Sequence, residues 1–471
     1  MKKNTRTKAG KSKVKTSQGD IKLPKHLEQI NLMAAGIDIG SRMHHVAVPE
    51  GCDEVTVREF ATFTADLHQL ANWLKKCKVT TVAMESTGVY WIPVYELLES
   101  EGFEVHLVDA RKVKNVNGRK TDILDCQWLQ ELHTFGLLSG AFRPSEEVCV
   151  LRAYMRQRSM LIQQASGHIQ RMQKALSQMN IQLHNVLSDI TGETGMRIIR
   201  AIVAGERDSK KLATYRNRGC KNTQETIEKS LTGHYRNEHI FALAQALRLY
   251  DTYKNEIAGC DDKIEEELSK FQDSAINKRE GVEKSEKKKS VKQKPKSRCK
   301  NAPSFDLTAH LTRITGVDLT AIPGIEAVSA LKIISEIGTD LSRWKSSKQF
   351  ASWLGLCPGN NVSGGKRLSS KTKRTANYAS SILRLSANTL YKSQTALGAC
   401  FRRLRARLGA PKAITALAHK LATIIYNMLT KGTEYREEGQ DYYEAQHRDR
   451  VVKNLEKRAK ALGLRLVENP C

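Results

Sequence analysis

Residues Ala34-Ala-Gly-Ile-Asp-Ile-Gly-Ser41 decide how this chain is read. Small and apolar positions enclose one carboxylate, Asp38, and Gly40 and Ser41 supply the turn that follows. The stretch predicts a short buried strand ending in a turn. An ionised Asp inside a buried strand is costly unless something pairs with it. Two readings fit this stretch alone: a side chain that caps the turn, or one ligand of a cation site. Carboxylates supplied farther along the chain bear on the choice.

Working outward, His45–Val48 and Val55–Phe60 are β-rich runs spaced like an antiparallel meander. Thr64–Lys76 sets Leu67, Leu70, Ala71 and Leu74 at helical spacing. Thr80–Met84 predicts another strand, with Glu85 at its C-terminal end in Met-Glu-Ser-Thr-Gly. Tyr90–Glu99 predicts a short helix with Pro93 in its first turn, where a missing N–H is tolerated. Glu104–Val108 predicts a strand. Thr121–Leu138 predicts a helix capped by Thr121, with Asp122 and Asp125 one turn apart on one face.

The order is three strands, helix, strand, helix, strand, helix, the outline of an RNase H-like α/β fold. In such a sheet the first and fourth strands are neighbours and the last helix packs across their ends. Asp38, Glu85, Asp122 and Asp125 would then converge. Singly each acid is weak evidence, since Asp122 also fits a helix cap and Asp125 a solvent-facing position. Together they would repel one another unless divalent cations neutralise them. Hard oxygen ligands select Mg²⁺ or Mn²⁺, and two such ions ~3.5–4 Å apart can activate a nucleophile and stabilise the leaving oxygen of a phosphodiester.

Composition narrows the class. A chain of 471 residues exceeds one ordinary core. Its 77 Lys and Arg against 50 Asp and Glu give a formal net charge of +27, which calls for a polyanionic partner, nucleic acid being the usual one. The 10 cysteines form no C-x-x-C pair and no zinc-spaced cluster. No signal peptide or membrane-length apolar run is present, so the sequence predicts a soluble protein of the reducing cytoplasm with no membrane partner.

The remaining segments divide by texture. Residues 1–30 form a basic arm almost free of apolar side chains, disordered until it meets phosphate or simply a solvated tail. Residues 31–145 hold the α/β domain. In 146–272 an apolar seam runs from Leu151 through Met155, Ile162, Met172, Leu183 and Val186 to Ile190, broken only by Arg158, and a second runs from Ile240 to Phe271. The two seams fit an antiparallel hairpin, pairing between subunits, or a plain helical core. Residues 273–303 read as a flexible basic linker, 304–435 as a mainly α-helical C-terminal domain, and 436–471 as a charged tail. Leu319-Thr-Ala-Ile-Pro-Gly-Ile fits a helix-hairpin-helix or an ordinary αα turn, and Glu326 stands where a second Gly would ease phosphate approach.

Cys357-Pro-Gly-Asn-Asn-Val-Ser-Gly-Gly-Lys-Arg reads as a loop. It is not a P-loop, because Lys366 falls one residue off the spacing from Gly359 and no Ser or Thr follows it. Ser363 has little steric cover there. It is either a turn former or a hydroxyl presented to substrate, with Lys366, Arg367, Lys371, Lys373 and Arg374 placed to hold phosphates.

The runs G-I-D-I-G-S, M-E-S-T-G-V-Y-W, K-T-D-I-L-D, I-P-G-I and C-P-G-N-N-V-S-G-G occur in the order found in the DEDD insertion-sequence transposases related to the Piv invertase. The chain resembles that family over most of Met33–Lys431. The resemblance implies a RuvC-like N-terminal domain, a metal-binding catalytic tetrad of Asp38, Glu85, Asp122 and Asp125, and Ser363 as nucleophile. It implies DNA cut-and-rejoin through a serine–DNA ester with Mg²⁺ or Mn²⁺. It also implies a homo-oligomer, a dimer or a tetramer on DNA, guided by an element-encoded noncoding (bridge) RNA that pairs with donor and target DNA. The setting would be a prokaryotic cytoplasm, at the nucleoid when bound. Glu326 departs from the family's usual I-P-G-I-G.

Two other classes use part of this pattern. A metal-dependent nuclease or junction resolvase would use the same acids with water as nucleophile and leave Ser363 dispensable. An actin-like ATPase or sugar kinase also opens on D-I-G-S, but the charge and the lack of a late Gly-rich adenosine motif speak against it. A noncatalytic scaffold gives no reason for four convergent carboxylates.

Overall fold

In the computed structural model, residues 29–86, 88–108, 122–138, 140–274, 301–373, 375 and 377–467 are described. The basic arm before residue 29, most of the linker, the cap assigned to Thr121 and the cation Arg374 lie outside them. The chain divides into two units, Met1–Arg143 and Pro144–Cys471.

In the first unit, β1 (Ala34–Ile39) is the centre of a five-stranded sheet of order β3-β2-β1-β4-β5. β2 (Met43–Ala47) and β3 (Val57–Ala61) extend it antiparallel on one side. β4 (Thr81–Glu85) and β5 (Glu104–Val108) extend it parallel on the other. Among the described residues its helices are α1 (Thr64–Lys76), α2 (Trp91–Ser100) and α3 (Asp122–Thr134). This mixed sheet with its helices is consistent with the RNase H-like outline.

Alternation along β1 assigns its two faces. Ala35, Ile37 and Ile39 enter a core with Leu70 and Leu74 of α1 and Leu98 of α2. Gly36 and Asp38 point to the opposite face, where α3 packs on β1. The approach is very close: a Cβ on Gly36 would overlap the carbonyl oxygen of Cys126 and the backbone nitrogen of Gln130. No rotamer change relieves a clash with helix backbone, so only glycine fits.

The second unit opens with α4 (Glu146–Gln178), then the short α5 (Leu183–Val186), α6 (Glu193–Val203), α7 (Ser209–Ala213) and α8 (Gln224–Ser230). The long α9 (Asn237–Lys270) returns along α4. The pairing is antiparallel, since Arg158 meets Asp261 while His168 stacks on Tyr253 farther along, ring centroids 5.4 Å apart. The apolar stripe of α4 is thus covered within the chain. Arg158, which interrupts the seam, is buried and forms an ion pair with Asp261 while donating to the Asn301 carbonyl at 2.8 Å. A buried charge survives there because its hydrogen bonds are made.

The seam expected from Leu151 to Ile190 is not one helix. α4 ends where Asn180 takes the left-handed conformation, φ 57°, and Ile181 N–H bonds back to the Leu176 carbonyl at 2.9 Å. Leu183 and Ile190 are buried all the same, inside the cap built by α5–α8.

The C-terminal part carries α10 (Leu307–Thr315), a 3₁₀ turn (Leu319–Ala321), α11 (Ala327–Ile337), α12 (Ser347–Trp353), α13 (Tyr378–Thr389), α14 (Ala396–Leu408), α15 (Ala410–Lys431) and α16 (Gly439–Ala461). The Pro323-Gly324 turn joins the 3₁₀ turn to α11, because α10 already stops at left-handed Gly316. Gly324 is packed close to the Ser386 carbonyl and the Leu390 side chain, which gives the turn a packing role. Within the segment read as a charged tail, Gly439–Ala461 form α16, with Tyr443 under the Arg403 guanidinium. Among the described residues, no helix is long and apolar enough to cross a membrane.

The β1–α3 contact gives a direct test. Gly36→Ala should lower unfolding stability by about 1–3 kcal/mol through overpacking. Gly167→Ala, in α4 where an added Cβ meets nothing within 4 Å, should raise it by about 0.5–1 kcal/mol. Denaturant unfolding of the two variants checks both signs.

Candidate active site

Asp38 stands at the penultimate position of β1, directly across the ladder from His45 on β2. On its other side β1 and β4 run parallel with Ile37 beside Met84, and Glu85 is the next residue of β4. The first turn of α3 carries Asp122 and Asp125, and the Gly36 contact fixes that turn near the end of β1. These residues, with Ser41, Arg42 and Met43, line a cavity of about 500 Å³. The four acids expected to converge do so.

The electrostatics record the convergence. The Asp38 carboxyl is pushed up to about 6, first by burial and then by the negative charges of Asp122, Asp125 and Glu85, while His45 acts in the opposite sense. A buried carboxylate crowded by three others belongs to a donor set a divalent cation suits, because its charge relieves the repulsion. One ligand atom each from Asp38, His45 and Asp122 lie within 4.8 Å of one another. The neighbouring Cys126 is buried and donates to the Ile123 carbonyl at 3.1 Å. Burial and the charge of Asp38 push its thiol up to about 12, which disfavours the thiolate.

His45 and Arg42 were not among the residues the sequence singled out. The signal for His45 is the hairpin register, since a tight return after Gly40 sets residue 45 opposite residue 38 and on its face. His44 points to the other face and is buried. Nε2 of His45 lies 3.2 Å from Glu59, its cross-strand neighbour on β3.

Ser363 belongs to the second unit. The segment read as a loop forms a hairpin, β6 (Asn361–Ser363) and β7 (Lys366–Ser369). Gly364 and Gly365 have φ of 53° and 75°, both left-handed, which is the two-residue primed turn that Gly-Gly supports. Ser363 is exposed opposite Lys366 at that turn, and Arg367, Lys371 and Lys373 are exposed on the same ribbon. Ser369 is half-buried and its Oγ accepts the Lys371 N–H at 3.3 Å.

A mixed five-stranded sheet with four acids at the ends of β1, β4 and α3 is the arrangement expected of an acid-tetrad domain. Comparison with known families agrees. The DEDD-domain model of IS110 transposases, described as a transposase, matches residues 35–181, and the model of the transposase IS116/IS110/IS902 family matches 318–399. Over these two stretches the chain is similar to the DEDD transposases of the IS110 type. It is 32% identical over 123 residues to a probable family 20 transposase of Pseudomonas aeruginosa, covering 25% of this chain and 36% of that protein. It is 30% identical over 125 residues to the transposase for insertion sequence element IS1111A of Coxiella burnetii, covering 25% and 33%. The chain thus spans about a third of the length of the curated relatives it matches.

The raised Asp38 pKa has a measurable consequence. The unfolded chain releases this proton near 3.8 and the folded chain near 6. Between those values only the folded state keeps it, so ionisation costs stability as the pH rises through that window. In metal-free buffer, Asp38→Asn should melt above the wild type at pH 8, and the gap should close toward pH 4. A gap that is the same at both pH values would contradict the shift.

Proposed function

We propose that this protein is the transposase of an insertion sequence and cuts and rejoins DNA through a covalent serine–DNA intermediate. The observation that carries the reading is the convergence of Asp38, Glu85, Asp122 and Asp125 in one cleft of a chain similar to the DEDD transposases. Asp38 and Glu85 from the sheet and Asp122 and Asp125 from α3 would hold Mg²⁺ or Mn²⁺. That cation supplies Lewis-acid stabilisation of the charge that develops as a phosphodiester is displaced.

Ser363 is the nucleophile in this reading. Its Oγ forms a bond to phosphorus as the bond from phosphorus to one strand oxygen breaks, and the hydroxyl proton ends on the departing oxygen. One phosphoester replaces another, so a DNA hydroxyl can attack the same phosphorus to rejoin without ATP. Lys366, Arg367, Lys371, Lys373 and Arg374 hold the phosphates on either side. Exposure of Ser363 at a glycine turn and engagement of the Ser369 oxygen favour Ser363 over Ser369.

The partners in this reading are donor and target DNA and an element-encoded noncoding RNA, with base pairing reading sequence and protein holding backbone. The net charge of +27 supports a chain that holds both polyanions. The active species would be a homo-oligomer, a dimer or a tetramer on DNA, in which one protomer's acid cleft acts with another's Ser363.

The test is a trapped species. With DNA nicked to prevent religation, a protein–DNA adduct should survive denaturant and map to Ser363, and Ser363→Ala should remove both the adduct and recombination. Ser370→Ala should still form the adduct. Metal-dependent cleavage with no adduct in any variant would give the chemistry to water and make the protein a nuclease or junction resolvase.

A further inference from the structure

We infer that His45 is a further ligand of the cation held in the acid cleft, and that its nitrogen biases the site toward Mn²⁺ over Mg²⁺. The inference rests on the metal-dependent reading of the cleft given above and adds a residue outside the four acids.

Three observations carry it. First, β1–β2 register places His45 directly across from Asp38, so both side chains leave the sheet on the face where α3 begins. One ligand atom each from Asp38, His45 and Asp122 lie mutually within 4.8 Å, a spread that a single ion can span. Second, the imidazole is held. Its Nε2 sits 3.2 Å from the Glu59 carboxylate, and the His45 side chain is only 14% exposed. With Glu59 beside Nε2, Nδ1 is the ring nitrogen left to meet the cation in this assignment. A carboxylate fixing tautomer and orientation from behind is the usual support for a metal-bound histidine. Third, the neighbouring imidazole cannot substitute, because His44 is buried on the other face of the sheet.

The donor chemistry then selects among ions. Mg²⁺ takes oxygen ligands and gives up its waters reluctantly. Imidazole is a ligand of first-row transition ions, and of these Mn²⁺ is the one best matched to a carboxylate-rich site. A site of several carboxylates and one imidazole is therefore better filled by Mn²⁺, with Glu59 acting as a positioning residue behind His45.

The experiment uses the full-length protein without nucleic acid, titrated separately with Mn²⁺ and Mg²⁺. Pulsed electron paramagnetic resonance of the Mn²⁺ form should show nitrogen modulation from a directly bound imidazole. His45→Gln should remove that modulation and weaken Mn²⁺ binding by about tenfold, with Mg²⁺ binding little changed. Glu59→Gln should weaken Mn²⁺ binding while keeping the nitrogen signal, and His45→Asn serves if the Gln variant unfolds. Absence of nitrogen modulation in the wild type, or its persistence in both His45 variants, overturns the assignment. If Asp125→Asn abolishes Mn²⁺ binding in that case, the acid cleft still holds metal. If Asp125→Asn binds Mn²⁺ as the wild type does, the cleft reading falls together with the inference.

Discussion

The backbone of α3 lies against β1 at Gly36, and the acid site depends on that contact. A side chain there would collide with the Cys126 carbonyl and the Gln130 nitrogen, one and two helical turns beyond Asp122. The contact is thus a ruler: it sets how far Asp122 and Asp125 stand from Asp38 and how they face it. Sheet pairing sets the rest, with His45 fixed by antiparallel register and Glu85 by parallel register on the other side. Rigid elements hold the carboxylates closer together than solvated acids would choose.

That crowding has an energetic sign. Asp38 is pushed up to about 6 by burial and by three neighbouring acids, so the fold works against its own electrostatics at this point. Strain of this kind persists where the surrounding core can carry it, and the strands here are anchored by fully buried Ile37, Val82 and Met84. A divalent ion turns the same arrangement from a cost into a binding site. The second unit handles charge in another way. Arg158 is buried with its partner Asp261, whereas Lys366 and Arg367 of the β6–β7 ribbon stand in solvent.

The N-terminal sheet was legible because its signals are local and strong. Continuous apolar strands, 3/4-spaced leucines and a proline in a first helical turn gave element bounds close to those observed, and topology then gathered the acids. What was not legible depends on partners far along the chain or on backbone conformation. Asp261 is 103 residues from Arg158, so nothing beside Arg158 announces its ion pair. The apolar pattern from Leu151 to Ile190 reports burial faithfully but does not report helix continuity, which ends at left-handed Asn180. The Gly364-Gly365 pair carried a hairpin signal that its polar, loop-like flanks obscured. His45 required register rather than residue type: its neighbour His44 is chemically identical and faces the core.

The central claim is that the four acids act as one metal centre for strand exchange. Recombination of donor and target DNA in Mg²⁺ by Glu85→Gln and Asp125→Asn, compared with the wild type, tests it most directly. Each change removes an anionic ligand while keeping side-chain shape. The account predicts that both variants fold and bind nucleic acid as the wild type does and that neither exchanges strands. Full recombination by either variant would contradict it.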